Sequence, residues 1–211
     1  MQQALDAIPL NNAQPITIFI KKGIYREKLH LDSTKNFVTM RGEDKEKTIL
    51  TYDDHTGRIT ANGDTINTMS SQTFYMKADD FTAMNLTFKN DAGMTAGQAV
   101  ALRVKGDRAS FLNCRILGFQ DTLFTSDPGS RQHYSACYIE ESTDFIFGAS
   151  TALFEECHIH SKKNSHVTAA STPKEHTYGY VFKRCTLTAD TGITKVSLGR
   201  PWRPYASVTY I

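Results

Sequence analysis

The stretch Phe111-Leu112-Asn113-Cys114-Arg115-Ile116 is one copy of a short pattern that decides the fold. In this pattern an aromatic or small apolar residue is followed three positions later by an apolar residue, and two positions after that by an aliphatic or aromatic residue. Five copies occur along the chain. Their anchors are Ala83, Leu86 and Phe88; Phe111, Cys114 and Ile116; Tyr134, Cys137 and Ile139; Phe154, Cys157 and Ile159; and Phe182, Cys185 and Leu187.

The spacing inside each copy predicts its local shape. The last two anchors are two residues apart, which is the period of a β-strand, and the step of three before them indicates a bend between two short strands. Copies recur at intervals of a few tens of residues, and no long apolar stripe has the helical period. The sequence therefore predicts an all-β solenoid of parallel strands whose coils stack their anchors.

Other segments fit around these coils. Residues 3–8, which precede Pro9, predict a short helix that caps the first coil, because the end of a solenoid otherwise exposes an apolar face. Residues 16–20 form a clear strand, with Gly23 as the turn that follows it. Residues 53–71 are rich in Asp, Gly, Asn and Thr and predict an elaborated loop between coils.

The four cysteines occupy one position of the repeat, which predicts an interior column. Their separations are far from the short paired spacings of a zinc site, so no metal is expected. Neighbours in such a column approach disulfide range, and Cys137 and Cys157 are the best candidates for pairing in an oxidising compartment.

Composition limits the class of protein. A chain of 211 residues, 40% hydrophobic and 22% charged, fits one domain over residues 1–211. The net charge of +2 does not indicate a nucleic-acid or membrane surface. No apolar run is long enough for a transmembrane helix, and the first residues lack the features of a signal peptide.

Two aspartates share a position in the repeat. Asp121 follows Cys114 by the same seven residues that separate Asp144 from Cys137. Adjacent parallel strands lie ~4.8 Å apart, so the two carboxyls are expected on one face of neighbouring coils. When two carboxyls lie that close together, one tends to be ionised and the other protonated. This combination suits a nucleophile and a general acid. From the repeat alone, aspartates that merely cap coil corners remain an equal alternative.

Five blocks of sequence carry a more specific signal. Together they resemble the pectin methylesterase (pectinesterase) family, in family order and across nearly the whole chain. The blocks are residues 23–27 (Gly-Ile-Tyr-Arg-Glu), 98–104 (Gln-Ala-Val-Ala-Leu-Arg-Val), 118–123 (Gly-Phe-Gln-Asp-Thr-Leu), 144–148 (Asp-Phe-Ile-Phe-Gly) and 198–202 (Leu-Gly-Arg-Pro-Trp).

The resemblance implies a right-handed parallel β-helix with an open cleft for homogalacturonan, and it assigns catalytic roles. Asp144 matches the nucleophile and Asp121 the general acid and base. Gln98 and Gln120 match the amide donors to the oxyanion, and Arg200 matches the arginine that keeps the nucleophile ionised.

The same resemblance implies how the substrate is held. Trp202 matches a residue that lines the sugar subsites, and Tyr134 and Phe119 are expected to contribute to that wall. No cofactor or metal is implied, and the expected partner is methylated homogalacturonan rather than nucleic acid or a membrane. A monomer acting outside the cytoplasm is expected. Because Ile211 follows Trp202 so closely, the chain is expected to be part of a longer domain.

Two other functions compete with the esterase. Calcium-dependent pectate lyases use parallel β-helices on the same polymer, but they need clustered carboxylates for calcium, whereas glutamine and apolar residues accompany each aspartate here. A non-catalytic polysaccharide-binding solenoid would keep Trp202 and the coil anchors. It would not need the two aspartates, the two glutamines and Arg200 together.

Overall fold

The computed structural model describes residues 1–211, which form 22 short β-strands and one short helix. The strands wind into successive coils of a parallel β-helix, and each complete coil contributes one strand to each of three faces. The elements are α1 Gln2–Asp6, β1 Ile16–Ile20, β2 Gly23–Arg26, β3 Leu29–Leu31, β4 Val38–Gly42, β5 Thr48–Tyr52, β6 Phe74–Met76, β7 Thr82–Met84, β8 Thr87–Asn90, β9 Leu102–Val104, β10 Ala109–Leu112, β11 Arg115–Leu117, β12 Leu123–Thr125, β13 Arg131–Ser135, β14 Tyr138–Glu141, β15 Ile146–Gly148, β16 Thr151–Glu155, β17 His158–Ser161, β18 His166–Ala170, β19 Tyr180–Lys183, β20 Thr186–Ala189, β21 Ser197–Pro201 and β22 Val208–Tyr210.

Three parallel sheets form the walls. The first contains every third strand from β1 to β22, the second runs from β2 to β20, and the third from β3 to β21. All the strand pairings have one direction, because every strand is stacked on the equivalent strand of the preceding coil. The predicted solenoid of parallel strands is confirmed.

The bend predicted inside each repeat lies between the first and second sheets. Each bend has one residue in the left-handed conformation, with φ between 51° and 54°. These residues are Asn85, Asn113, Ala136, Glu156 and Arg184. The conformation costs about 1 kcal/mol for a residue with a side chain. Ladder hydrogen bonds continue through the corner, from the Ala136 nitrogen to the Glu155 oxygen (3.0 Å) for example, and help to offset that cost.

The anchors of the repeat fill the interior. Phe111, Tyr134, Phe154, Phe182 and Tyr210 stack face to face through successive coils, with ring centroids 4.5 to 4.9 Å apart. Ile116, Ile139 and Ile159 form a parallel aliphatic column on the second sheet and are almost completely buried. The aromatic anchors therefore lie on the first sheet and the aliphatic anchors on the second, and both sets face the same interior.

The cysteines form the predicted interior column, although Cys185 near the last coil is only partly buried. Each thiol points to a carbonyl oxygen of the preceding coil; Sγ of Cys157 lies 3.3 Å from the carbonyl oxygen of Tyr134. All four are free thiols. The structure contains no Cys137–Cys157 disulfide, and both thiols are directed at main-chain carbonyls. Their pairing in an oxidising compartment stays a prediction.

The local predictions hold with one correction. The helix, α1, covers the first coil through Leu5, which is fully buried. Gly23 is not a turn; it begins β2 and pairs with Thr48, because the bend from the first sheet to the second lies before it, at residues 21–22. Residues 53–71 are an elaborated loop that ends in a 3-10 turn, Thr68–Ser70. No helix is long and apolar enough to cross a membrane.

Candidate active site

The two aspartates lie at one corner of the solenoid, between the second and third sheets. A parallel bridge pairs Gln120 with Thr143, and the Asp121 nitrogen donates to the Thr143 oxygen at 3.2 Å. Asp121 and Asp144 are therefore in matching register on adjacent coils, as their shared position in the repeat predicts. Both have left-handed backbone, with φ of 62° and 53°. Aspartate tolerates this conformation better than most residues.

Arg200 binds one aspartate of the pair. It lies on β21, two strands along the third sheet from β15, and its guanidinium makes a two-pronged contact with Asp144. Nε is 3.0 Å from Oδ1, and Nη2 is 2.6 Å from Oδ2. The Asp144 side chain is 8% exposed. A charge-assisted bond of this kind stabilises the negative charge of a carboxylate that is shielded from water.

Asp121 has no arginine of its own, and its environment differs accordingly. Burial, together with the negative charge of Asp144, raises the pKa of Asp121 to about 7. The charge of Arg200 and a hydrogen bond from the Gln120 side chain act in the opposite direction but are weaker. The pair is therefore asymmetric near neutral pH, with a protonated form available at Asp121 beside the arginine-bound Asp144.

Both glutamines predicted for the site border the same cleft. The Ala99 nitrogen donates to the Gln120 oxygen at 2.9 Å, which places Gln98 on the coil next to that of Gln120. The cleft has a volume of about 250 Å³. It is lined by Thr68, Met69, Gln98, Gln120, Asp121, Asp144, Phe147, Ala169, Arg200 and Trp202. Two carboxyls, two amides and a guanidinium thus meet around one space large enough for a reacting group.

The floor of the cleft is a small apolar cluster outside the main core. Val100, Phe124, Phe147 and Ala169 are buried together, and Trp202 packs against them. The Phe124 and Phe147 rings are stacked at 4.4 Å, and the indole meets Phe147 edge to face at 5.9 Å. Trp202 is partly exposed and also lines the cleft, where an indole face suits a sugar ring.

Two residues predicted for the sugar wall lie elsewhere. Tyr134 is completely buried, stacked between Phe111 and Phe154, and its hydroxyl donates to Oε1 of Gln132 at 2.7 Å. Its assignment to the substrate wall is wrong, because Tyr134 is an anchor of the repeat and points inward. Phe119 is partly exposed but does not line the cleft; its ring lies beneath the Lys162 ammonium, 4.6 Å away.

Some residues near the site escaped the sequence analysis. Glu141 is fully buried between the aspartate-bearing coils, and its Oε2 accepts from the Thr122 nitrogen at 2.6 Å. Burial raises the pKa of Glu141 well above its usual range. Strand alternation from Ile139 would have placed Glu141 inside. Thr68 and Met69 reach the cleft from the long loop, and no sequence signal marks them.

Comparison with known proteins agrees with this geometry. The family model described as Pectinesterase matches residues 1–211. Pectinesterase 31 of Arabidopsis thaliana is 41% identical over 213 residues, which cover 99% of this chain and 67% of that protein. The alignment therefore extends across the whole of the described fold.

Solved structures show the same architecture. Pectin methylesterase from carrot superposes with a TM-score of 0.91 at 30% identity, over 99% of this chain and 67% of that one. A pectin methylesterase in complex with a hexasaccharide superposes with a TM-score of 0.89 at 31% identity, over 97% of this chain and 67% of that one. The chain spans about two thirds of the length of each of these relatives.

Proposed function

The chain belongs to the pectinesterase family, and on that premise we propose that it hydrolyses methyl esters of homogalacturonan, releasing methanol and leaving polygalacturonate. The observation that carries the proposal is the asymmetric pair of carboxyls. Asp144 is bound by Arg200, and Asp121, on the adjacent coil, has a pKa raised to about 7. A nucleophile and a general acid need this difference in protonation.

In the first half of the proposed reaction, a carboxylate oxygen of Asp144 attacks the C6 carbonyl carbon of the methyl ester. The carbonyl oxygen becomes an oxyanion, which the side-chain amides of Gln98 and Gln120 stabilise. The C–O bond to the methoxy group then breaks as Asp121 transfers its proton to the leaving oxygen. Methanol departs, and the uronate acyl group remains joined to Asp144 as an anhydride.

In the second half, Asp121 is ionised and accepts a proton from water. The hydroxide oxygen attacks the uronate acyl carbon, and the bond to Asp144 breaks. The products are the free uronate carboxyl group and the Asp144 carboxylate, while Asp121 regains the proton that the next cycle needs. Each group therefore returns to its starting form, and the chain's own residues carry every proton transfer.

The two amides provide a test of the oxyanion contact. Gln98→Ala and Gln120→Ala are each expected to slow turnover by roughly 10²-fold to 10³-fold, because one donor to the developing charge is lost. Steady-state kinetics on methylated pectin measure the effect, with circular dichroism to verify the fold. Gln132→Ala is unsuitable as a control, since that side chain is buried and hydrogen-bonded; exposed Gln14→Ala serves instead. Wild-type turnover in either cleft variant would remove that amide from the proposed machinery.

Methanol release from highly methylated pectin, measured with and without a chelator, tests the function itself. We expect release to persist after chelation, because the proposed steps use carboxyls, amides and a guanidinium. The described residues contain no group of three or more His, Cys, Asp or Glu side chains placed to hold a metal ion. An unsaturated sugar product that requires calcium would support the lyase alternative. Binding without any product would support a non-catalytic solenoid.

The place of action follows from the proposed substrate. Homogalacturonan is a polymer outside the cytoplasm, so we propose a secreted or extracytoplasmic enzyme whose partner is the polysaccharide and which acts as a monomer. The open cleft, which a polymer can enter, supports the polysaccharide as partner.

A further inference from the structure

The outer face of the third sheet carries a column of side chains that leads away from the catalytic cleft. In the strands β3, β6, β9, β12, β15, β18 and β21, one residue each pairs in continuous register and points outward. We call this column the cleft strip; it consists of His30, Tyr75, Arg103, Phe124, Phe147, Ala169 and Arg200. The catalytic end of the strip contains Phe147, Ala169 and Arg200, which line the cleft.

Arg103 lies on the strip without a carboxylate partner. Its neighbours in sequence, Leu102 and Val104, are fully buried, so strand alternation directs the arginine outward. The guanidinium carbon is 4.2 Å from the centre of the Tyr75 ring and 5.2 Å from that of Phe124. Its one hydrogen bond runs from Nη1 to the carbonyl oxygen of Met69, at 2.6 Å.

The guanidinium of Arg103, at the edge of the cleft, has few hydrogen-bond partners and no ion pair. The Nε atom is buried and has no hydrogen-bond partner. Partial burial lowers the pKa of Arg103; the Tyr75 hydroxyl acts in the opposite direction but is weaker, and no carboxylate contributes. By contrast, Arg200 is neutralised by Asp144, and Lys77 pairs with Asp32 at 3.0 Å.

Arg103 lies close enough to the catalytic cleft to contact a polymer that is bound there. Its carbonyl partner, Met69, lines the catalytic cleft, and β9 lies two strands from β15, a distance of ~10 Å at the standard strand spacing. Farther along the strip, Tyr75 and His30 border a second hollow of about 300 Å³ that also contains Lys28 and Lys77. A polysaccharide that continues from the cleft along the strip passes over Arg103.

We propose that Arg103 binds the free carboxylate of a de-esterified uronate in a chain whose methylated residue occupies the catalytic cleft. This inference rests on the proposed function and extends it to the pattern of methyl esters and free carboxylates along the substrate. A guanidinium presents paired donors to a carboxylate, whereas a neutral methyl ester offers only a weak acceptor. An oligomer that has a free carboxylate beside the reacting ester is therefore bound more tightly than a fully methylated one.

The test compares two substrates in one variant. For Arg103→Gln, kcat/KM is measured on fully methylated oligogalacturonate and on a partly de-esterified one. The ratio of kcat/KM for the partly de-esterified substrate to that for the methylated one is expected to fall about 10-fold, the scale of one charge-assisted contact. Binding of fully de-esterified oligogalacturonate, measured by calorimetry, is expected to weaken by about the same factor.

Arg115→Gln is the matched control. Arg115 also points outward from a strand and lies 5.8 Å from a tyrosine ring, that of Tyr138, but on the second sheet and away from the cleft. We expect this variant to change neither the ratio nor the binding. Arg103→Lys, which keeps the charge but loses the fork of donors, is expected to recover part of the ratio.

Three results would overturn the proposal or separate it from the function on which it rests. Equal losses on both substrates in Arg103→Gln would show that the arginine only holds the turn at Met69. Unchanged binding of the de-esterified oligomer would remove the carboxylate contact. Failure of the wild type to release methanol from the fully methylated oligomer would instead refute the esterase function, whatever the binding result.

Discussion

Replacing Asp144 with asparagine is expected to abolish methanol release, with a loss of at least about 10⁴-fold in kcat, the scale seen when a catalytic nucleophile is removed. An amide oxygen is a poor nucleophile and cannot form the anhydride. Asparagine also tolerates left-handed backbone at this position (φ 53°), so the coil corner should be preserved. Turnover is measured as methanol release at saturating pectin, and accumulation of acyl-enzyme is followed in a rapid-quench experiment.

The control for this variant is Asp80→Asn. Asp80 also has left-handed backbone (φ 54°) and an arginine ion pair, with Oδ1 2.6 Å from Nε of Arg108, but it lies away from the cleft. If loss of a corner aspartate and its ion pair were enough to damage the enzyme, both variants would lose activity. Normal turnover in Asp80→Asn together with no turnover in Asp144→Asn isolates the chemistry. Substantial turnover in Asp144→Asn would end the proposed mechanism.

Replacing Asp121 with asparagine is expected to reduce turnover by roughly 10³-fold, because both methanol departure and water activation lose their proton carrier. In the proposed mechanism the two aspartates serve one reaction path, so the double variant should be scarcely slower than Asp144→Asn alone. Additive losses in the double variant would show that the two residues act independently.

The pH dependence gives a second measurement on Asp121. In the proposed mechanism the Asp121 carboxyl must be protonated to begin the cycle. Because its pKa is raised to about 7, the reactive fraction is expected to fall as the pH rises through that value. We therefore expect kcat/KM of the wild type to decline above pH 7, and the residual activity of Asp121→Asn to lack that decline. A wild-type profile that stays flat from pH 6 to about 9 would contradict the assignment.

The raised pKa of Asp121 also affects the stability of the folded protein. The folded protein holds a proton on Asp121 more tightly than the unfolded chain does, so this residue contributes stability that is lost as the pH rises from the unfolded pKa to the folded one. Asp121→Asn removes the ionisation and is expected to melt at a higher temperature than the wild type above pH 7. Greater stability combined with lower activity would identify Asp121 as a site where function opposes folding.

The repeat and the register of the aspartates were predictable from the sequence because both are encoded locally. Two-residue alternation sets which side chains enter a coil, and the coil corners fall at a fixed step from the anchors. Asp121 and Asp144 inherit their alignment from that pattern, as do the interior stack of Phe111 and Phe154 and the buried cysteines. The family resemblance added the roles of the amides and of Arg200, which no spacing rule implies.

The same local rule exposes the error at Tyr134. An anchor of the repeat points inward, so the tyrosine stacks with its neighbours and cannot reach a sugar. Resemblance to a family motif suggested a role for the residue type, but the position within the coil excludes it. Glu141 illustrates the opposite case, since alternation places it inside whereas its charge suggests the surface.

By itself, the sequence determined the coiled architecture, the corner positions and the pairing of the two aspartates, because each depends on residues close together in one repeat. The family resemblance implied that Arg200 binds Asp144, and the structure supplied the geometry of that contact. Only the tertiary structure decided which residues close the cleft and where the unpaired Arg103 lies. Asp144 and Arg200 are 56 positions apart, and Arg103 meets Met69 across 34. Such contacts depend on how many residues each loop contains and on where the loop folds back over the sheet, and no periodic pattern records either.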